Sequence, residues 1–541
     1  MARAGRNLPK PCGTAAAYHR GGWQRLRHTP HLPLVAQAPF LSIAMTRPSS
    51  DLASVQTLPQ LLAWRCARTP DGAACRTFDP ASQAWVQLTW AQVRERVALW
   101  GRALDRLALP SGARVAILLP SGLDALCMDQ ATLALGHVPV PLPALDSPAR
   151  LAAILADCQA SLLVVDTLLQ WRAVAAAAGG HALPHLRTVV VRQGGTDPDT
   201  AVAVWSLADW LGAARPRAPM HTPPCAADPA VLLYPAGGNG APRGVVLTHR
   251  NVLAGVQALL AHLQPTASDV FLSVLPLSEA LERSAGYYLP MAAGSCVAYA
   301  RPASTPLDTG LQDLRAVQPT VLVALPHTCE ALQAAALQHL ATTPLRQRLW
   351  DACAVVGWRR FCRDQRMPAS QRALLGREAS AGWWTLLPWP LLHALVVRPL
   401  QAHWGGRLRW VLTGAPLPPA LARCLLGLGL PLLQGHGTPE AGGLVCANTL
   451  HDQRPASVGR ALPGVELHIG DNQQLQVRGP LVMKGYWEQP TETARVLASD
   501  GWLSTGERAA TVDGRLYLRG RTAPGAVPAG GASPVSINQK T

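Results

Sequence analysis

The sequence predicts an α/β protein whose mostly parallel sheets are flanked by helices. Three observations carry that expectation. Short apolar runs of strand length recur along the chain, and amphipathic stretches of helical period separate them. Hydrophobic residues make up 49% of the 541 positions, enough for a sizeable core. The runs are continuous rather than alternating, which is what strands covered on both faces require.

Taken in order, residues 1–44 hold six basic side chains (Arg3, Arg6, Lys10, Arg20, Arg25, Arg27) and no carboxylate before Asp51. No continuous apolar core of a secretory signal is present, so the segment reads as a disordered extension with Met45 as the working start. In "LTWAQVRERVALWGRAL", Thr89 with Gln92 makes a capping box, and Val93, Val97, Trp100 and Leu104 share one helical face. "ARVAILLP" (113–120) is a strand, Ser121 and Asp124 open the next helix, and "HVPVPL" and "ASLLVVD" are further strands. "AVLLY" (230–234) leads through the Gly/Pro/Asn-rich stretch 235–244 into "VVLTHRNVLAGVQALLAHL". That second run is a strand followed by a helix burying Val252, Val256, Leu259 and Leu263, and the whole is expected to form one unit of the parallel sheet. The apolar stretch 383–397 is broken by Pro388 and Pro390 and falls short of the roughly 20 residues a membrane span needs; a core helix is the favoured reading over a lipid-facing surface.

Composition narrows the partners. Basic residues outnumber acidic ones 48 to 32, a net charge of +16, which suits polyanions such as nucleotides, CoA or anionic lipid. The excess is spread along the chain without a Lys/Arg block, and only Lys10, Lys484 and Lys540 are lysines, so nucleic acid is not an expected partner. The 12 cysteines include no C-x-x-C, which fits reduced thiols in a cytoplasmic protein better than zinc or a disulfide framework. Neither H-E-x-x-H nor G-x-S-x-G occurs, leaving zinc-protease and hydrolase chemistry unsupported.

The stretch "YPAGGNGAPRGVVLTHRN" (234–251) is the first candidate for chemistry. Gly237, Gly238 and Gly240 let several backbone N–H groups converge on one anion, and Arg243 adds a fixed positive charge. Neither G-x-x-x-x-G-K-[ST] nor G-x-G-x-x-G is present, so the loop alone is weak. Four more stretches follow it in order: "LPLSEALERSAGYYLP" (275–290), "GGRLRWVLTGAPLPP" (405–419), "LLQGHGTPEAG" (432–442) and "DGWLSTGERAATVDGRLYLRGR" (500–521).

Together they resemble the adenylate-forming acyl-CoA synthetase superfamily over residues 55–521, and most closely its long-chain fatty acid CoA ligases. The resemblance implies that residues 45–518 form that superfamily's large N-terminal domain, and that 519–541 form a hinge and the stump of a C-terminal small domain that is otherwise missing. It implies a two-step reaction in which a carboxylate is activated by ATP with Mg²⁺ and then transferred to CoA. Gly237, Gly238, Asn239 and Gly240 are expected to cradle the β- and γ-phosphates with Arg243. Gly414, Ala415 and Pro416 would lie against the adenine, with Gly435, His436, Gly437 and Thr438 completing the nucleotide site and His436 stacked on or beside the base. Glu440 would bind Mg²⁺, Glu507 would accept the ribose hydroxyls, and Arg521 would contact ribose or phosphate. A fatty acid, ATP and CoA are the expected partners, in the cytoplasm, with peripheral contact at the cytoplasmic face of a membrane.

The chain also departs from the pattern. Pro235, Ala236, Gly238 and Asn239 stand where hydroxyl residues are usual, and Arg243 replaces a Lys. The hydroxyl of the usual Tyr-Gly-x-Thr-Glu moves to Thr438, Pro439 removes a backbone N–H, and Glu507 stands in place of Asp. With the catalytic Lys of the small domain absent as well, turnover is expected to be slow or nil. Two alternatives follow: a non-catalytic acyl- or nucleotide-binding homologue, and an enzyme adenylating another carboxylic acid. Glu279 stands where a His is usual, and an i, i+4 ion pair with Arg283 on a solvated face is as good a reading of it as a site role. His327 and Glu330 read as the start of a helix after Pro326.

Overall fold

The computed structural model describes residues 52–521 except 180–182, 198–201, 215–221, 237–239, 302–305, 341, 370–371 and 373–381. The extension assigned to 1–44, the stump beyond Arg521, and Gly237, Gly238 and Asn239 lie outside the described residues.

Two large sheets carry the fold. The first has five strands, ordered Val138–Pro141, Arg114–Leu118, Leu162–Thr167, Thr188–Gln193 and Ala203–Ser206, all parallel. The second has nine, ordered Arg460–Ala461, Gly443–Ala447, Leu432–Thr438, Trp410–Thr413, Val321–Ala324, Val270–Ser273, Cys296–Tyr299, Ala73–Asp79 and Ala84–Thr89. Its centre is parallel, and only the strands at its two ends run antiparallel. Val321–Ala324, Val270–Ser273 and Trp410–Thr413 are buried at every position, as their unbroken apolar sequences require when helices cover both faces. Thr89–Gln92 forms the expected capping box, and Thr57–Gln60, Thr167–Gln170 and Thr248–Asn251 cap three further helices in the same way. Val93, Val97, Trp100 and Leu104 are buried, as are Val252, Val256 and Leu259.

Two local expectations change. The helix Leu123–Ala134 is preceded by Gly122 without a side-chain cap, because the Ser121 hydroxyl donates instead to the Leu275 carbonyl at 2.8 Å. The glycine-rich stretch does not join parallel strands. Pro229–Leu233 and Val245–Thr248 pair antiparallel, and Gly485–Tyr486, from far along the chain, adds a third antiparallel strand. A fourth sheet, Glu466–Ile469, Gln474–Arg478, Leu503–Val512 and Arg515–Arg521, is wholly antiparallel.

The solvated ion pair expected of Glu279 and Arg283 does not form. Arg283 is buried and reaches Asp129 at 2.8 Å on the helix Leu123–Ala134, where Tyr288 and Tyr287 also donate to the carboxylate at 3.1 and 3.3 Å. This network ties the helical layer of the five-stranded sheet to the segment that follows Val270–Ser273 in the nine-stranded one. Beside it, Glu282 is 1% exposed; Ser273 donates to its Oε1 at 2.5 Å and its Oε2 has no partner. Burial pushes this carboxyl up to about 8, against the Ser273 hydrogen bond, which favours the charged form.

A carboxyl raised from its ordinary value stabilises the fold most at acid pH, and loses that contribution as pH climbs from the ordinary carboxylate range through 8. Thermal unfolding followed at steps from pH 5 to 9 should therefore show Glu282→Gln flattening the decline across that window and raising the midpoint above that of the parent at the alkaline end. Parallel curves for the two proteins would contradict it.

Candidate active site

Two parts of the candidate site lie where the parallel pairing of Trp410–Thr413 with Leu432–Thr438 ends: Gly414–Pro416 follow the first strand, and Gly435–Thr438 form the last residues of the second. Crevices at such strand ends are where open α/β sheets bind ligands, because loops there diverge around a gap. Gly414, Ala415 and Pro416 leave the first strand in a turn held by the Thr413 hydroxyl, which donates to the Ala415 carbonyl at 3.0 Å. Gln434 of the second strand fixes the far side of that turn by accepting from Leu417 N at 2.7 Å. Leu281 lies against Gly414, so the stretch 275–290 reaches the same place.

The second strand continues through Gly435, His436, Gly437 and Thr438, paired with Gly443–Ala447 across a register shift between His436 and Gly437. A Cβ on Gly437 would sit 1.6 Å from the Gly443 carbonyl oxygen, so only glycine permits this approach. His436 is buried, and its Nε2 lies 2.5 Å from Glu507 Oε2. Arg521 approaches the other oxygen, Oε1, at 3.6 Å. Burial raises the Glu507 carboxyl, but its contact with His436 and the nearby Arg521 guanidinium outweigh it, and the group is held below its ordinary range. His436 thus faces a carboxylate directly, a geometry that the expectation of base stacking did not contain. The Thr438 hydroxyl is buried without a hydrogen-bond partner, and Glu440 follows on the turn Pro439–Ala441.

The phosphate-loop candidate is drawn in by the strand Gly485–Tyr486. Its neighbours bond to both components: Met483 N donates to the Glu440 carbonyl at 2.7 Å and Trp487 N to the Gly244 carbonyl at 2.7 Å. The Tyr486 hydroxyl donates to Glu440 Oε1 at 3.0 Å, and Gln489 donates to the Pro242 carbonyl at 3.0 Å. Burial, then the Glu440 charge, raise the Tyr486 hydroxyl, so it stays a proton donor. Arg243 is half exposed and pairs with Glu492 at 3.4 Å; Glu492 also pairs with Arg495. Gly240 has φ +153°, a backbone state reserved for glycine. From the helix Pro148–Asp157, Arg150 bridges the two ends of the loop, donating to the Pro235 and Gly240 carbonyls at 3.3 Å each while Asp146 holds its Nε at 2.9 Å.

Gly414–Pro416 and Gly435–Thr438 thus lie at the ends of neighbouring strands, His436 meets Glu507 and Arg521, and Tyr486 joins Glu440 to the segment that holds the loop of Arg243, while Gly240 is held by Arg150. Sequence reasoning missed Arg150, Tyr486 and Glu492, which sit in stretches with no Gly-rich or acidic signature. A cleft of about 680 Å³ borders Val246, Trp487, Thr493 and Leu497 and shares Tyr486 with the site, but none of the expected nucleotide residues line it.

Residues 62–487 match the family of AMP-binding enzymes. The chain belongs to that family. A long-chain-fatty-acid–CoA ligase, FadD15 of Mycobacterium bovis, is 30% identical over 422 residues, covering 75% of this chain and 64% of the relative. The AMP-binding chain spans about half to two thirds of the length of the curated relatives it matches. Among solved structures, an anthranilate CoA ligase, AuaEII, in complex with anthranoyl-AMP superposes with TM-score 0.67 at 19% identity, over 87% of this chain and 79% of the other. An inhibitor-bound N-terminal domain of FACL13 from Mycobacterium tuberculosis superposes with TM-score 0.62 at 19% identity, over 86% and 100%. Those two likenesses establish the fold as that of adenylate-forming enzymes.

Two substitutions probe the local construction. Gly437→Ala forces apart the Gly437 and Gly443 backbones and should lower unfolding free energy by about 1–3 kcal/mol in urea titration. Arg150→Met frees both loop ends and should weaken ATP binding by about tenfold in calorimetry; it also takes this partner from the largely buried Asp146 carboxylate, so the unfolding midpoint should fall as well. Unchanged ATP affinity in Arg150→Met would show that the loop needs no such clamp.

Proposed function

We propose that this chain carries the AMP-forming activation of a long-chain fatty carboxylate, the first step of an acid–thiol (CoA) ligase. The single observation that carries the reading is the joining of the Arg243 loop to Glu440 through Tyr486, beside the His436–Glu507–Arg521 cluster. A carboxylate is a poor electrophile until it bears a good leaving group. Attack of its oxygen on the α-phosphorus of ATP forms an acyl phosphate bond and expels pyrophosphate; the CoA thiol then attacks the acyl carbon and expels AMP. A site for this chemistry must hold a polyphosphate, the ribose and the reacting carboxyl in line.

The residues fit those tasks. Backbone amides around Gly237–Gly240 and the half-exposed Arg243 guanidinium bind phosphate oxygens. Glu507, kept ionised, accepts the ribose hydroxyls, and Arg521 stands over its outer oxygen. Thr438 offers a buried hydroxyl that lacks a partner, and Gly414–Pro416 supply a flat wall for the adenine. For Mg²⁺, Glu440 offers a carboxylate whose Oε1 is fixed by Tyr486; one or two carboxylates plus substrate phosphates are the usual protein share of such a site. When bound there, the ion would neutralise charge on the phosphates. The buried free thiols suit a reducing cytoplasm, and long acyl substrates favour work at the cytoplasmic face of a membrane.

A second reading is supported by Pro235, Ala236 and Pro439, which remove hydroxyl or N–H donors from the loops: binding of nucleotide and acyl group without turnover. Palmitate-dependent ATP–pyrophosphate exchange separates the two. The proposal expects exchange, reduced about 100-fold or more in Glu440→Gln. ATP binding with no exchange for any acid favours the second reading. Exchange driven only by short or aromatic acids would overturn the fatty-acid assignment and leave an enzyme for another carboxylic acid.

A further inference from the structure

We propose that Tyr234 and Asp157 form a positioning pair that sets the spacing between the two ends of the glycine-rich loop and so readies it for the outer phosphates of ATP. The inference deepens the ligase reading and rests on it for the identity of the ligand. Tyr234 is the residue at which the chain leaves the strand Pro229–Leu233 for the loop, and it is fully buried. Its hydroxyl donates to Asp157 Oδ2 at 2.5 Å, at the last residue of the helix Pro148–Asp157. Gly244, where the loop rejoins the strand Val245–Thr248, lies directly against the same ring. A Cβ there would stand 2.8 Å from the Tyr234 oxygen and 2.9 Å from Leu232 Cδ1. The backbone of Gly244 is not left-handed, so it is space that demands glycine: the side chain at the loop's entry fills the room at its exit.

The pair belongs to a closed circuit of contacts around the base of the loop. Asp157 stands seven positions after Arg150, on the same face of the helix, so one helix holds Tyr234 through Asp157 and the Pro235 and Gly240 carbonyls through Arg150. The end of that helix is fastened in turn to the strand Arg114–Leu118, where Arg114 donates to the Cys158 and Gln159 carbonyls at 2.7 and 3.2 Å. The Arg114 guanidinium also lies 5.2 Å over the Trp487 ring, and Trp487 N donates to the Gly244 carbonyl, which returns the circuit to the loop's exit. Burial, with Cys158 and Asp157 beside it, raises the Tyr234 hydroxyl, so it keeps its proton and remains the donor. Tyr234 acts from beneath the loop, through the spacing of its ends, and both members are therefore positioning residues. A hydrogen bond serving the fold alone would affect every ligand alike; one that spaces the loop affects the ligands that reach the loop.

Tyr234→Phe and Asp157→Leu test the pair in the full chain, with Asp157→Asn, which keeps an acceptor, as the conservative variant. In calorimetry, ATP should bind about five- to tenfold more weakly to Tyr234→Phe and to Asp157→Leu, and within about twofold of the parent to Asp157→Asn. AMP, which lacks the phosphates that reach the loop, should bind all four proteins within about twofold of one another. The double variant Tyr234→Phe/Asp157→Leu should bind ATP no worse than either single one, since each already removes the shared contact. Amide exchange of the nucleotide-free chain over residues 240–246 should quicken about tenfold in Tyr234→Phe and Asp157→Leu and hold its parent rate in Asp157→Asn. If Asp157→Leu folds poorly, Tyr234→Phe, which removes a single oxygen atom, still decides. Equal loss of ATP and AMP affinity, unchanged ATP affinity in Tyr234→Phe, or unchanged exchange over 240–246 would each overturn the proposal. A parent chain that binds neither nucleotide overturns the ligase reading instead, and the exchange rates then decide the spacing by themselves.

Discussion

The candidate site depends on a short strand lent by a distant part of the chain. Between Met483 and Gln489, main-chain and side-chain hydrogen bonds run to Glu440 on one side and to Pro242, Gly244 and Val246 on the other. Neither partner could fix the other alone, because the loop strands Pro229–Leu233 and Val245–Thr248 belong to a separate antiparallel sheet and share no ladder with the strand leading to Glu440. Backbone hydrogen bonds suit such a tether, since they place groups without relying on long side chains that lose rotamer freedom.

Around this tether, charge is placed by burial. Arg283 and Asp129 lie fully inside, an arrangement whose desolvation cost is offset only because Tyr287 and Tyr288 add hydrogen bonds to the same carboxylate. Glu507 is partly open and lies against His436 and Arg521, which keep it ionised. Glu282, buried with only the Ser273 hydroxyl donating to it, is driven toward its neutral form. The Glu507 and Glu282 carboxyls thus shift in opposite directions, set by what each was folded against.

The sequence made the parallel sheets legible, because covered strands need unbroken apolar runs, and it made capping visible at Thr89 through the residue three positions on. Ordered short motifs located Gly414, His436, Glu440 and Glu507, which the fold does bring together. What was illegible depends on long-range pairing. Nothing local distinguishes Gly485–Tyr486 from a loop, and nothing in "SPARL" marks Arg150 as the residue that will span the glycine-rich stretch. The Arg283 misreading has the same origin: helical spacing suggested Glu279 as its partner, while packing supplied Asp129, 154 positions away. The stretch 383–397, read as core, likewise has two faces, Leu392 and Val397 buried but Leu386 and Leu395 exposed, which emerge only when the core has chosen one of them.

Glu492 accepts two arginines at once, Arg243 through one oxygen and Arg495 through the other. A guanidinium that shares its counter-ion can be drawn away toward a stronger anion without stranding a bare carboxylate, because Arg495 stays behind to neutralise it. The cation at the mouth of the loop is in this way held in readiness, parked on a neighbour that loses little by releasing it.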